Sequence, residues 1–164
     1  MGKYKDIVPI FLLLLGLSAC DMDNGSAAKP QTLSGTDITR VNNPTLLKQG
    51  QALYIQHCAQ CHGQKAEGQL MWRRPDEQGH YPPPPLDGTG HAWHQSREGL
   101  HNIIKNGSAV TEKGQTQAQG RMPAWGQTLN DQQIDMVIDW LQSLWPEPVY
   151  TIWYERQKHA RVDK

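Results

Sequence analysis

Apolar residues recur at helical spacing in three stretches of the chain, and no stretch alternates convincingly at period two. The clearest is near the C-terminal end, where Ile134, Val137, Ile138, Leu141 and Leu144 fall at i, i+3, i+4, i+7 and i+10 and form one amphipathic stripe. Asn130 can cap this helix with Gln133 as its capping-box partner, and Pro146 ends it. An earlier helix is predicted from Asn43 and Pro44, a suitable N-cap and first-turn pair, through Leu46, Leu47, Gly50, Leu53, Tyr54 and Cys58. Gly50, Tyr54 and Cys58 recur every fourth residue and so share a face. A glycine on that face admits a second helix at close range, and Trp140, flanking the later stripe, is the natural partner for the Gly50 notch and the Tyr54 ring. A shorter helix is predicted from Ser96 to Asn106, with Leu100, Ile103 and Ile104 inward and Gly107 as its stop. The predicted fold class is all-α.

The aperiodic parts differ in kind. Lys3 and Lys5 precede an apolar run over residues 7–17 that Pro9 and Gly16 interrupt, the pattern of an export signal too short to span a bilayer in the usual way. Leu17, Ser18, Ala19 and Cys20 resemble the lipobox of bacterial lipoproteins, in which cleavage leaves the cysteine as a lipidated N-terminus. The other reading is an ordinary signal peptide that happens to end in cysteine. Asp21 resembles the signal that retains such lipoproteins in the inner membrane of some Gram-negative bacteria. From there to about Asn42 the chain is rich in Ser, Gly, Asn, Thr and Asp, which suits a flexible tether spanning roughly 25 Å. Residues 69–95 include four consecutive prolines, Pro82 to Pro85, and read as a semi-rigid loop crossing one edge of the core, with Leu86 and Trp93 inward. Past Pro146, a tail carrying Val149, Tyr150, Ile152, Trp153 and Tyr154 is expected to pack back on the domain, because exposed patches this apolar are uncommon on monomers.

Composition adds three constraints. With 16 basic and 16 acidic side chains in 164 residues there is no surplus of cation for a nucleic-acid partner. Loss of the signal would remove Lys3, Lys5 and Asp6, leaving 14 basic against 15 acidic groups, so the mature chain stays near neutral. Only 37% of residues are apolar, and about a dozen of those lie in the first nineteen. The remainder makes a thin core, as though something other than side chains fills it. Three cysteines cannot all pair within one chain, so a disulfide scaffold does not explain them.

Cys58, Ala59, Gln60, Cys61 and His62 spell C-x-x-C-H, the attachment sequence for c-type haem. Two thiols add across the vinyl groups, and the next residue presents an imidazole to the iron from the same turn. A thioredoxin-like redox pair would need a βαβ setting, and half of a zinc site would need two further ligands in a matching cluster. Both are lacking here.

At this point the sequence resembles a class I cytochrome c over about Pro44 to Trp145. The motif lies near the start, a glycine and an aromatic stand upstream in the first helix, and the last helix is amphipathic. Gly120, Arg121, Met122, Pro123, Ala124, Trp125 and Gly126 resemble the family's loop for the second axial ligand. The resemblance implies three to four helices around one covalently attached haem c, with Cys58 and Cys61 as attachment points, His62 and Met122 as axial ligands, and the porphyrin as the missing core. Of the other methionines outside the signal, Met22 lies in the tether, Met71 beside Trp72, Arg73 and Arg74 in the loop, and Met136 away from the apolar stripe. Pro123 disfavours helix at Met122, so its thioether can project from a rigid loop. The alternatives are bis-histidine ligation by His91, His94 or His101, or an open position. His91 and His94, with His80 and His101 nearby, also raise a second metal site such as copper, although no cysteine or carboxylate pair completes a ligand set.

The chain is thus expected to comprise a lipoprotein signal (1–19), a tether lipidated at Cys20 (20–42), a cytochrome c domain (43–147) and a tail (148–164). The expected function is single-electron carriage at the periplasmic face of the inner membrane, between a redox donor and acceptor that near-neutral charge does not help to identify. No general acid, base or nucleophile is picked out. The alternatives are a permanently bound haem subunit of an oxidase or dehydrogenase, a haem-based sensor or peroxidase whose Met122 bond opens, and a metal-handling accessory lipoprotein.

Overall fold

A computed structural model of the chain describes residues 40–108 and 121–162. The expected signal segment, Cys20 and the tether up to residue 39 lie outside the described residues, as does Gly120. Among the described residues there are five α-helices and no strand: α1 (Pro44–His57), α2 (Ala59–His62), α3 (Arg97–Asn106), α4 (Asp131–Leu144) and α5 (Glu147–Val162), with a 3-10 turn at Ala92–His94. None is long and apolar enough to cross a membrane. The all-α class is as expected, with more helices than the three to four foreseen.

The caps form as the sequence foretells. The Asn43 side chain accepts from the N–H groups of Thr45 and Leu46 with Pro44 in the first turn, and Asn130 and Gln133 close a reciprocal capping box. Ser96 caps α3 through the Gly99 N–H, and Gly107 ends it at φ 79°. These local devices fix where α1, α3 and α4 begin; packing fixes how they meet.

The central packing is α1 on α4. A Cβ on Gly50 would stand 2.1 Å from the Met136 carbonyl oxygen and 3.0 Å from the Trp140 Cβ, so the backbones approach as closely as the missing side chain allows. Tyr54 and Trp140 meet there with ring centroids 4.5 Å apart. Ile134, Val137, Ile138 and Leu141 fill the stripe, while Leu144, also placed on it and last in the helix, is 36% exposed. Asp139 and Gln142 are buried on the same helix because Arg97 of α3 reaches them: its guanidinium stands 2.7 Å from Asp139 and donates to Gln142 at 3.2 Å. Burial pushes the Asp139 carboxyl up against the opposing pull of Arg97. No apolar periodicity announces a buried polar link of this kind.

A second, smaller cluster forms around Trp145, Tyr150 and Trp153. The segment expected as a tail is a helix, and its aromatic residues do pack back. Trp153 is 1% exposed, lies edge-on to Trp145 at 5.7 Å, and donates its indole N–H to the Gln95 carbonyl at 2.9 Å. Arg40 closes this cluster from the N-terminal side, with its guanidinium 4.1 Å from the Tyr150 ring centroid, a hydrogen bond to the Trp145 carbonyl and an ion pair to Glu147. Trp93, expected to pack inward, is partly buried against this second cluster. A Trp153→Ala chain is expected to lose about 3–5 kcal/mol of stability, read as a lower midpoint in chemical unfolding, with the absorption spectrum of the native haem protein unchanged. A loss under about 1 kcal/mol would mean that α5 is an appendage.

Candidate haem site

The C-x-x-C-H segment turns at the end of α1. The Cys58 N–H donates to Tyr54 O at 2.8 Å, and the Cys58 carbonyl accepts from Cys61 at 3.1 Å and His62 at 2.9 Å. This turn brings both thiols and the imidazole together within five residues. The two cysteines are free, Cys58 buried and Cys61 exposed. Burial pushes the Cys58 thiol up to about 11, so the apoprotein holds it neutral. The turn is held from α1 by the Tyr54 hydroxyl, which donates to Gly63 O at 2.8 Å; burial raises the pKa of that phenol further, keeping it a donor.

His62 is 8% exposed, and burial lowers its pKa, so the ring is neutral. Its Nδ1 lies 2.9 Å from the Pro84 carbonyl. A carbonyl can only accept, so Nδ1 carries the proton and Nε2 keeps its lone pair. That is the tautomer a metal ligand needs, oriented by the usual kind of outer partner. The proline run reaches His62 because Gly68 leaves room: a Cβ there would stand 2.4 Å from Pro85 N. Gln69 N–H to Pro83 O at 2.9 Å and Leu86 N–H to Ala66 O at 2.8 Å fasten the run on either side of Pro84.

Met122 comes from the other side of the chain. Its N–H donates to Ser108 Oγ at 3.0 Å, and its carbonyl accepts from the Ser108 N–H at 3.1 Å. The N–H groups of Trp125 and Gly126 donate to the carbonyls of Ile104 and Lys105, which lays this loop along the end of α3. Gly107 makes that approach possible, since a Cβ there would be 2.6 Å from Met122 O. Met122 and Trp125, partly buried, pack on the cluster that contains Tyr54, Cys58, Ala59 and Ala66, together with Leu53, Leu86 and Leu100.

The residues present fit a covalently held haem. Two free thiols stand at the required spacing, the neutral imidazole has its outer nitrogen satisfied, and an apolar cluster that includes a methionine adjoins them. The family model described as cytochrome c oxidase, cbb3-type, subunit III matches residues 45–141. The chain belongs to this family. It is a class I c-type cytochrome, and the family implies covalent haem c and a role in electron transfer. No curated protein and no solved structure matches the chain.

The four histidines that the sequence marks as rival ligands or second-metal candidates of this cytochrome make other contacts. His91 stacks on Trp72 at 5.3 Å and His94 on Trp93 at 3.9 Å, while His101 faces Asp131 at 3.6 Å and His80 faces Asp76 at 3.5 Å. Among the described residues no three His, Cys, Asp or Glu side chains gather as a metal site would require. Sequence reasoning missed the Pro84 carbonyl and Ser108. A signal for the first existed, because polyproline segments have no internal hydrogen bonds and leave their carbonyls free to accept. Ser108 follows the α3 stop and carries no such mark.

Proposed function

We propose that this cytochrome is a single-electron carrier tethered to the periplasmic face of the bacterial inner membrane through a lipidated Cys20, with His62 and Met122 as the axial ligands of one haem. The observation that supports it best is the double fastening of Met122 to Ser108 beside the cluster that holds Cys58. A loop so held can keep a thioether in place through an electron transfer. The haem, when bound, supplies the ferric/ferrous couple. The chain's own residues hold the imidazole proton on Nδ1, fix the methionine loop and exclude water, so that little rearranges when the charge changes. With haem bound, a thioether ligand from Met122 beside the imidazole of His62 would favour ferrous iron and raise the potential relative to a bis-histidine pair.

Met122→Ala tests the ligand directly. The expected result is loss of the near-infrared sulfur-to-iron charge-transfer band of the oxidised protein, with haem still covalently attached, and carbon monoxide binding in the reduced variant that the native protein resists. Persistence of the band would reject Met122. Ready carbon monoxide binding by the native protein would favour the sensor or peroxidase reading.

The family description favours a second reading, that of a haem subunit bound permanently within an oxidase. Purification from membranes in mild detergent separates the two: a tethered carrier leaves the column alone, and a subunit brings its complex with it.

A further inference from the structure

Residues 70–74 read Leu-Met-Trp-Arg-Arg and stand out from the rest of the surface. Leu70 is 93% exposed and Met71 60%. Met71 also adopts φ 61°, a left-handed conformation that L residues with long side chains rarely take, and its carbonyl accepts from the Arg74 N–H at 2.7 Å. The loop is not loose. Its base is closed by Gln69 N–H to Pro83 O, and its far end by Asp76 N–H to His80 O at 2.8 Å. Trp72 is seated on His91, with the Arg73 guanidinium 4.1 Å from its ring centroid. The fold therefore supports a tight turn whose apolar pair is presented to the outside.

We propose that this loop seats the domain on the surface of an anionic phospholipid bilayer, with Leu70 and Met71 entering the acyl boundary, Trp72 at headgroup depth, and Arg73 and Arg74 against lipid phosphates. The inference rests on the reading of Cys20 as a lipid anchor. Three observations select a bilayer over a protein. Some twenty residues of flexible-chain composition between Cys20 and Arg40 would span roughly 25 Å, which would keep a domain anchored at Cys20 close to the bilayer at high effective concentration. The loop's order of residues is that of interfacial segments, in which aliphatic side chains enter, Trp marks the interface and Arg meets anionic headgroups. The patch is also small: two exposed aliphatic side chains fall far short of the roughly 1,200–2,000 Å² typical of a stable protein interface, yet they can orient a domain already held by an anchor. Among the loop's acids, Asp76 is matched by His80 and by Arg121 at 3.3 Å; Glu77 also lies in the loop.

The test places a nitroxide label at position 70 through Leu70→Cys in the full mature holoprotein, where the label replaces an exposed side chain and displaces no packed neighbour. A second protein carries it at Lys48→Cys, an exposed position on α1. Accessibility to a water-soluble nickel complex and to oxygen is measured on the oxidised proteins with and without vesicles of phosphatidylethanolamine and phosphatidylglycerol, so that the constant relaxation from the haem cancels in the comparison. The expected result is a several-fold drop in nickel accessibility at position 70, with oxygen accessibility retained, and no change at position 48. Equal nickel accessibility at the two positions overturns the proposal, as does protection of position 70 that arises only when a protein partner is added. The mass of the N-terminal peptide reports the acyl group separately, so failure of the anchor and failure of the loop are read from different measurements.

Discussion

A Gly50→Val chain is expected to yield little folded holoprotein and to unfold with a stability loss of about 3 kcal/mol or more. The obstacle is backbone rather than side chain. A Cβ at this position would meet the Met136 carbonyl oxygen at 2.1 Å and its carbon at 2.8 Å, and no rotamer change relieves contact with a helix backbone. Either α1 or α4 must move away. That separation also parts Tyr54 from Trp140, an aromatic pair worth about 0.5–1.5 kcal/mol beyond its buried area. Because Tyr54 holds the Gly63 carbonyl at the end of the haem-attachment turn, the damage reaches the site as well. Gln49→Val is the control. It places the same β-branched residue at an exposed position of the same helix, where helix propensity alone costs well under about 1 kcal/mol. Chemical unfolding of both chains, with haem content by pyridine haemochrome, checks the expectation; midpoints that agree would show that the notch is incidental.

This helix crossing was legible in the sequence because it rests on local facts. Gly50, Tyr54 and Cys58 share a face by spacing alone, Trp140 sits one turn beyond Met136, and the Asn130–Gln133 box fixes where α4 begins. The C-x-x-C-H turn was legible for the same reason, as five consecutive residues define both its chemistry and its geometry. What escaped depends on contacts between residues far apart in the chain. Arg97 lies well before Asp139 in the sequence, and nothing in either segment marks them as partners. Arg40 stands in what reads as tether, yet it closes the aromatic cluster formed by α5. Trp93 packs inward as expected, but the apolar surface it meets is the one α5 brings, and its indole N–H is satisfied locally by Gly90 O at 3.0 Å. The α5 helix itself was hidden by Pro148 and a weak apolar stripe, although its aromatic residues did announce that the segment packs.

Gly68→Val is expected to have the next largest effect, and on the redox centre more than on the helices. Gly68 has φ +72°, and a Cβ there would stand 2.4 Å from Pro85 N and 2.6 Å from the Pro84 carbonyl carbon. The proline run would have to lift, and the Pro84 carbonyl would leave His62 Nδ1, from which it now stands 2.9 Å. With His62 as the proposed iron ligand, loss of that acceptor would make the imidazole a poorer donor to iron, so the ferric state would be less well stabilised and the potential would rise. A neutral hydrogen bond contributes about 0.5–1.5 kcal/mol net, and only the part that differs between ferric and ferrous states moves the potential, so for a one-electron couple the upward shift is at most roughly 20–60 mV. The left-handed backbone adds strain of its own, and Gly79→Val isolates that part: Gly79 has φ +82°, and a Cβ added there would meet nothing within 4 Å. Both variants should therefore lose about 1–2 kcal/mol to backbone strain, and the Gly68 variant should lose more. Only the Gly68 variant should shift in potentiometric titration. Equal potentials in the two proteins would mean that Pro84 does not tune His62, and that the proline run serves only to cover the site.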